Sequence, residues 1–237
     1  MFGIIDIGNT NIHIAFCNRE EMSNYKTIHY TDYKLLYNIL NSVSTNRYIL
    51  CSVNNNNFSK VSKLLEGKES IGIEFIKPLK QMGFYETMGV DRIANTYHII
   101  KRKREGIVLS LGTMNVIDII KEGQFKGGMI FPGVESMINC VNRHADLINA
   151  QKGFNCDTDI IGLNTEDCVS AGIANIQRNG IISTVKKLQK KYNINDIYYT
   201  GGGYKLVESE SGWILDKLLT IKGIKDLARD YYECNWD

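Results

Sequence analysis

Gly3-Ile4-Ile5-Asp6-Ile7-Gly8-Asn9-Thr10-Asn11-Ile12-His13-Ile14-Ala15-Phe16 lies at the start of the chain. The run from Phe2 to Asp6 is short and apolar, and Ile12, Ile14 and Phe16 alternate with Asn11, His13 and Ala15 at the period of a strand. Gly8-Asn9-Thr10 is therefore a turn between two strands. About half a chain later the pattern restarts as Ile107-Val108-Leu109-Ser110-Leu111-Gly112-Thr113, followed by the apolar stretch Met114 to Ile120. Both copies read as apolar strand, turn with Gly and Thr, strand. A repeat at this spacing predicts two similar lobes facing each other across a cleft.

The segments around these copies interleave helix and strand. Tyr33, Leu36, Ile39 and Leu40 have helical spacing, Arg47 to Val53 reads as a strand, and Phe58 to Leu65 suggests a short helix. Val90, Ile93, Ala94 and Tyr97 mark one face of a further helix, whose last turns carry Lys101-Arg102-Lys103-Arg104. Cations are favoured at a helix carboxyl end, so this run reads first as a solvated helix end and second as a phosphate or nucleic-acid patch. After the second hairpin, Gly127-Gly128 closes another strand and Pro132-Gly133 introduces a helix near Val134. Asn164 or Thr165 caps a long helix reaching about Lys191, with Glu166 and Asp167 in its first turn. The strand Ile197 to Thr200, the triplet Gly201-Gly202-Gly203 and a helical stretch complete the chain. The class is α/β. The expected division is an amino-terminal lobe of residues 1–105 and a carboxyl-terminal lobe of residues 106–237.

Composition narrows the partners. The 237 residues carry 28 basic and 26 acidic side chains, a net charge of +2, too balanced for a nucleic-acid coat or a membrane-surface protein. The longest apolar runs, Ile117 to Ile120 and Met129 to Phe131, fall far short of the roughly 20 residues of a membrane span. Asp6 interrupts what could otherwise be a signal peptide. Cysteines at 17, 51, 140, 156, 168 and 234 include no Cys-x-x-Cys pair, so they read as reduced thiols of a cytoplasmic protein rather than as a zinc or disulfide framework.

Three stretches carry candidate chemistry. An Asp-x-Gly-Asn-Thr turn suits phosphate, because glycine lets the backbone approach the anion while N–H groups and the Asn and Thr side chains donate hydrogen bonds. Its aspartate can hold Mg²⁺ through water. Taken alone, the turn is equally an ordinary hairpin. No Walker loop is present: Gly67-Lys68 lacks the partner glycine at Ser62 and is followed by Glu69. In Gly89-Val90-Asp91-Arg92 a carboxylate that could accept a proton from an attacking hydroxyl stands beside a cation that could neutralise a carboxylate or phosphate. An ordinary first-turn aspartate is the plainer reading. Gly201-Gly202-Gly203 could let an adenine or ribose pass close to the backbone, or be a simple strand-to-helix turn.

Together these stretches resemble the type III pantothenate kinases, a family of the actin and sugar-kinase superfamily. The resemblance rests on Asp6-Ile7-Gly8-Asn9-Thr10-Asn11, Gly89-Val90-Asp91-Arg92-Ile93-Ala94-Asn95, Leu111-Gly112-Thr113 with Asp118, Gly127-Gly128-Met129-Ile130-Phe131-Pro132-Gly133, Ile161-Gly162-Leu163-Asn164-Thr165 and Thr200-Gly201-Gly202, in the family's order. It implies a duplicated, ribonuclease H-like fold with a mixed sheet and flanking helices in each lobe. It also implies a cytoplasmic homodimer that transfers the γ-phosphoryl group of ATP to pantothenate, the first step of coenzyme A synthesis. Carried over residue by residue, Asp6, Ile7, Gly8, Asn9, Thr10, Asn11, Ile12, His13, Gly112, Thr113, Gly201 and Gly202 would bind ATP, with Asp6 on Mg²⁺. Asp91 would be the proton acceptor. Tyr85, Gly89, Val90, Asp91, Arg92 and Thr165 would hold pantothenate, Tyr85 at a shorter spacing from the Gly-x-Asp-Arg motif than the family has.

One position departs. The family has aspartate where Ser110 stands and uses it to bind an activating monovalent cation, K⁺ or NH₄⁺. Serine removes a full negative charge beside an anionic nucleotide, so cation affinity should fall. The alternative reading is a catalytically weakened relative that keeps the ligand site as an accessory or regulatory binding protein.

Overall fold

The computed structural model describes residues 1–18, 21–145, 148 and 161–232. The chain forms two compact units, Met1–Arg102 with Leu218–Asp237, and Lys103–Lys217.

The first unit is built on a five-stranded sheet in the order β3-β2-β1-β4-β5, with β1 Phe2–Ile7, β2 Asn11–Cys17, β3 Met22–His29, β4 Arg47–Ser52 and β5 Glu69–Ile73. β1 pairs antiparallel with β2 and parallel with β4, whose crossover contains α1, Tyr33–Ser42. The strand period divides β1 and β2 between two faces. Ile5, Ile7, Ile12 and Ile14 join Leu36, Ile39 and Leu40 of α1 and Val61 of α2, Asn55–Leu64, in one apolar cluster. Asp6 and His13, directly opposite one another in register, therefore face the other way. Helix α3, Val90–Lys101, packs against α6, Leu219–Tyr231, and α6 in turn contacts β1, β4 and β5.

The second unit repeats the plan. Its sheet runs β10-β9-β6-β7-β8, with β6 Gly106–Leu111, β7 Met114–Lys121, β8 Gln124–Pro132, β9 Ile197–Thr200 and β10 Ile214–Leu215. β6 pairs antiparallel with β7 and parallel with β9, as β1 does with β2 and β4. Strand for strand the two orders are the same, so the repeat in sequence is a repeat in topology. Ile107, Leu109, Leu111, Ile117 and Ile119 form the second core with Ile181, Val185 and Leu188 of α5, Thr165–Tyr192. Helix α4, Val134–His144, begins after Gly133, and the Asn164 side chain caps α5 by accepting from Asp167 N–H at 3.0 Å.

Several expectations change. The carboxyl-terminal helix, placed by sequence with residues 106–237, groups with the first unit. Its Asp226 is buried against α3, 2.8 Å from His98 Nδ1 and 2.7 Å from Arg102, and Lys101 pairs with Asp230. The basic run lies at an exposed helix end, as read from sequence, but its first two residues are paired with the acidic face of α6. Burial would raise the Asp226 carboxyl, but its hydrogen bonds to His98 and Arg102 and the Arg102 charge outweigh that and hold it down to about 2. β8 does not close at Gly127-Gly128 but continues to Pro132, with Gly127 at φ 129°. The edge strands β3 and β5 bury little beyond Ile28 and Ile73, so no apolar alternation announced them. Cys17, Cys51, Cys140 and Cys168 are free thiols, whereas Cys156 and Cys234 lie outside the described residues. Among the described residues no helix is long and apolar enough to cross a membrane.

Candidate functional site

In the first unit the end of β1 turns sharply. Gly8 N–H donates to the Asn11 carbonyl at 2.9 Å, closing the loop over Asn9 and Thr10. The loop is held from α2: Asn57 Nδ2 donates to the Gly8 carbonyl at 3.1 Å and Asn54 Nδ2 to Asn9 Oδ1 at 3.0 Å. Asn54 also caps α2 through Asn57 N–H at 2.9 Å. One asparagine thus fixes a helix start and a candidate phosphate turn together. Asn9 remains exposed, and Thr10 and Asn11 are half-buried.

Asp6 lies just before this turn and is 8% exposed. Burial, and then the neighbouring charge of Asp91, push its carboxyl up to about 8. Two carboxylates desolvated in one place repel, and protonation of one relieves it. Asp91 stands in the first turn of α3. It too is raised by burial, against the opposing pull of the Arg92 backbone N–H, the Arg92 charge and its own N–H. A side chain at Gly89 would meet Asp91 Oδ1 at 2.6 Å, so glycine there leaves room for the carboxylate to fold back over the helix start. Arg92, 5% exposed, donates to the Tyr85 hydroxyl at 2.7 Å. The loop tyrosine and the motif arginine meet despite the shortened spacing. Cys51, opposite Asp6 across the parallel β1–β4 pair, lies beneath the two acids, and burial together with their charges holds its thiol well above its ordinary value.

The second unit has its own turn. Leu111, Gly112 and Thr113 link β6 to β7, with the Thr113 carbonyl accepting from Gly133 N–H at 2.9 Å and Ser136 Oγ at 2.6 Å. Gly201, at φ 94°, crosses so near that a Cβ would lie 2.2 Å from the Leu111 carbonyl oxygen; only glycine fits there. Gly202 meets nothing within 4 Å and is exposed. Ser110, topologically equivalent to Asp6, is half-buried between Val116 and Thr200. Thr165 is the exposed first residue of α5, and Asn164 does the capping.

The structure therefore gathers Asp6, the Gly8 to Asn11 turn, Tyr85, Gly89, Asp91 and Arg92 in one unit, and Ser110, Gly112, Thr113 and Gly201 around one strand end in the other. Sequence reading missed Asn54 and Asn57, although the run Asn54-Asn55-Asn56-Asn57 offered a signal as a helix-capping cluster after a strand. It also missed Tyr25, Thr27 and Cys51, which reach the site only through strand register. The Asp6 site suits Mg²⁺: a buried, hard oxygen donor raised by a second carboxylate has its charge to gain from a cation. Among the described residues no group of three or more His, Cys, Asp or Glu converges on a metal position.

Comparison with known proteins supplies the family. The family model of type III pantothenate kinase matches residues 4–187. Type III pantothenate kinases of Sulfurimonas denitrificans (28% identical, covering 98% of this chain and 99% of the relative) and Thermosipho melanesiensis (31%, 93% and 95%) align almost end to end. Among solved structures, a Campylobacter jejuni protein named for the Baf family of transcriptional activators superposes at TM-score 0.60 with 24% identity, covering 98% of this chain and 99% of that one. A Sinorhizobium meliloti protein named as a 2-dehydro-3-deoxygalactonokinase does so at TM-score 0.57 and 11% identity, covering 98% and 97%. These two likenesses establish the duplicated kinase-type fold. The family match over most of the sequence shows that the chain belongs to the type III pantothenate kinase family.

Proposed function

We propose that this chain phosphorylates pantothenate from MgATP, yielding 4′-phosphopantothenate, in the cytoplasm. The observation that carries the reading is the placement of Asp91 beside Asp6, in the unit that also bears the Gly8 to Asn11 turn and the Arg92–Tyr85 pair. A hydroxyl acceptor needs a base, its carboxylate a cation, and the nucleotide a donor-rich turn. In the proposed mechanism Asp91 accepts the proton of the attacking primary hydroxyl and Arg92, steadied by Tyr85, neutralises the pantothenate carboxylate. The backbone donors of residues 8–11, with Asn9 and Thr10, hold phosphoryl oxygens. Asp6 would hold Mg²⁺, which supplies charge neutralisation to the phosphates. Positioning and electrostatics provide most of the acceleration in phosphoryl transfer, so these groups suffice. The test is incubation of the purified chain with MgATP and pantothenate, with and without K⁺ or NH₄⁺, and direct detection of phosphopantothenate. Absence of product in every condition overturns the reading.

Ser110 sets a further expectation. Turnover should be only weakly stimulated by K⁺ or NH₄⁺, and Ser110→Asp should introduce stimulation by restoring the missing charge. A strong potassium requirement in the unaltered chain would contradict this. Ser110 also favours a second reading, a weakened relative acting as an accessory ligand-binding protein, which predicts nucleotide binding without product.

A homodimer, with Thr165 near pantothenate, completes the proposal. It is supported by Met129 and Ile176, exposed apolar side chains lining a groove of about 350 Å³ between β8 and α5 of the second unit, and by exposed Ile130, Ile161 and Leu163 elsewhere on that unit. Sedimentation should give twice the chain mass, and Ile176→Asp should shift it to the monomer. A monomeric unaltered chain rules the dimer out.

A further inference from the structure

A third strand completes a row across the first sheet. His13 of β2 lies opposite Asp6 on one side and Thr27 of β3 on the other, so Thr27, His13, Asp6 and Cys51 stand side by side on the face that carries Asp91. At the register shift between Ile14 and Phe16, β3 gains a residue and Asn24 takes φ 53°. Tyr25, two residues from Thr27 and on the same face, stacks parallel to the imidazole, its hydroxyl 2.9 Å from His13 Nδ1, while Thr27 Oγ1 is 3.0 Å from the same nitrogen. The Thr27 hydroxyl is also 3.4 Å from the Tyr25 oxygen. With the Tyr25 and Thr27 O–H groups both donating to it, Nδ1 is an acceptor. The ring proton then resides on Nε2, which has no protein partner among the described residues and is not sealed from solvent.

We infer that Tyr25 and Thr27 are positioning residues that lock His13 in its Nε2–H tautomer, making it a neutral hydrogen-bond donor to the phosphoryl oxygens of the nucleotide. The inference rests on the kinase reading for its ligand and assigns the role of His13 within that site. A fixed donor is what this place needs. The adjacent Asp6 can only accept when ionised, and an imidazole with its proton on Nδ1 would turn a bare lone pair toward the anion. Residues of an exposed edge strand, remote in sequence from any phosphate motif, thus decide which nitrogen meets the nucleotide.

The test combines tautomer and binding. In ¹⁵N-histidine-labelled protein, long-range proton–nitrogen correlation should show His13 as the Nε2–H form, and Tyr25→Phe with Thr27→Val should produce a tautomer mixture. The double variant should raise the dissociation constant for MgATP about tenfold, the worth of one or two hydrogen bonds, with the KM for pantothenate unchanged. His13→Gln, whose Nε2 amide can replace the donor, should stay within about threefold of the unaltered chain, and His13→Leu should not. An Nδ1–H tautomer, or a double variant with unchanged nucleotide affinity, overturns the inference. If the unaltered chain binds no MgATP, the kinase reading falls and the proposed ligand with it, whereas a wrong tautomer in a chain that does bind removes only this inference.

Discussion

Asp91→Asn should lower the rate of phosphopantothenate formation by about 10²–10⁴-fold, the range for loss of a positioned general base, while leaving MgATP affinity within about threefold. Asparagine keeps the shape and the hydrogen bonds at the start of α3 but cannot take a proton. The pH profile supplies a second readout. Burial raises the Asp91 carboxyl against the pull of Arg92, so in the unaltered chain the rate should fall on acidification from a point above the ordinary carboxylate range. That acid limb should vanish with Asp91. A variant that retains near-normal turnover removes the base assignment; one that loses nucleotide binding as well shows a structural role instead.

Asp6→Asn should abolish activity yet stabilise the unliganded protein. With Asp6 pushed up to about 8 and an unfolded value near 3.8, the folded chain binds more protons than the unfolded chain between those limits. Stability therefore falls as pH rises from about 4 to about 8, and the full penalty is present above that window. At neutral pH the substitution should recover about 2–4 kcal/mol, an upper range for one buried carboxyl, and should flatten this part of the stability curve, leaving the smaller slope that belongs to Asp91. MgATP should reverse the order, because the unaltered chain gains binding free energy that the variant lacks. Chemical denaturation at pH 6 and pH 8.5, with and without MgATP, checks every part. An Asn variant less stable than its parent at pH 8.5 would contradict the account. Such a site trades stability for function, as expected where charges are held together for a ligand.

These two acids differ in how visible they were. Asp6 stands in a strand-turn-strand pattern whose repeat around Ser110 marked it at once. Asp91 read as an ordinary first-turn aspartate until the neighbouring motif was considered. Neither pattern contains the fact that matters most for their chemistry, that burial raises both carboxyls and the Asp91 charge raises Asp6 further. That follows from α3 ending its approach beside β1.

The sequence by itself determined the elements and their duplication, because these depend on neighbours in the chain. Short apolar runs gave β1, β6 and β7, a period of two gave β2, helical spacing gave α1 and α3, and an asparagine with acidic first-turn residues marked the start of α5. Tertiary structure alone decided which residues meet across long separations. Parallel pairing brought Cys51 under Asp6, a bulged edge strand with one well-buried apolar side chain carried Tyr25 to His13, and α6 returned to the first unit to bury Asp226 against His98 and Arg102. In each case the deciding interaction is a register or a buried charge pair whose partners lie far apart in the chain, and local pattern holds no record of either.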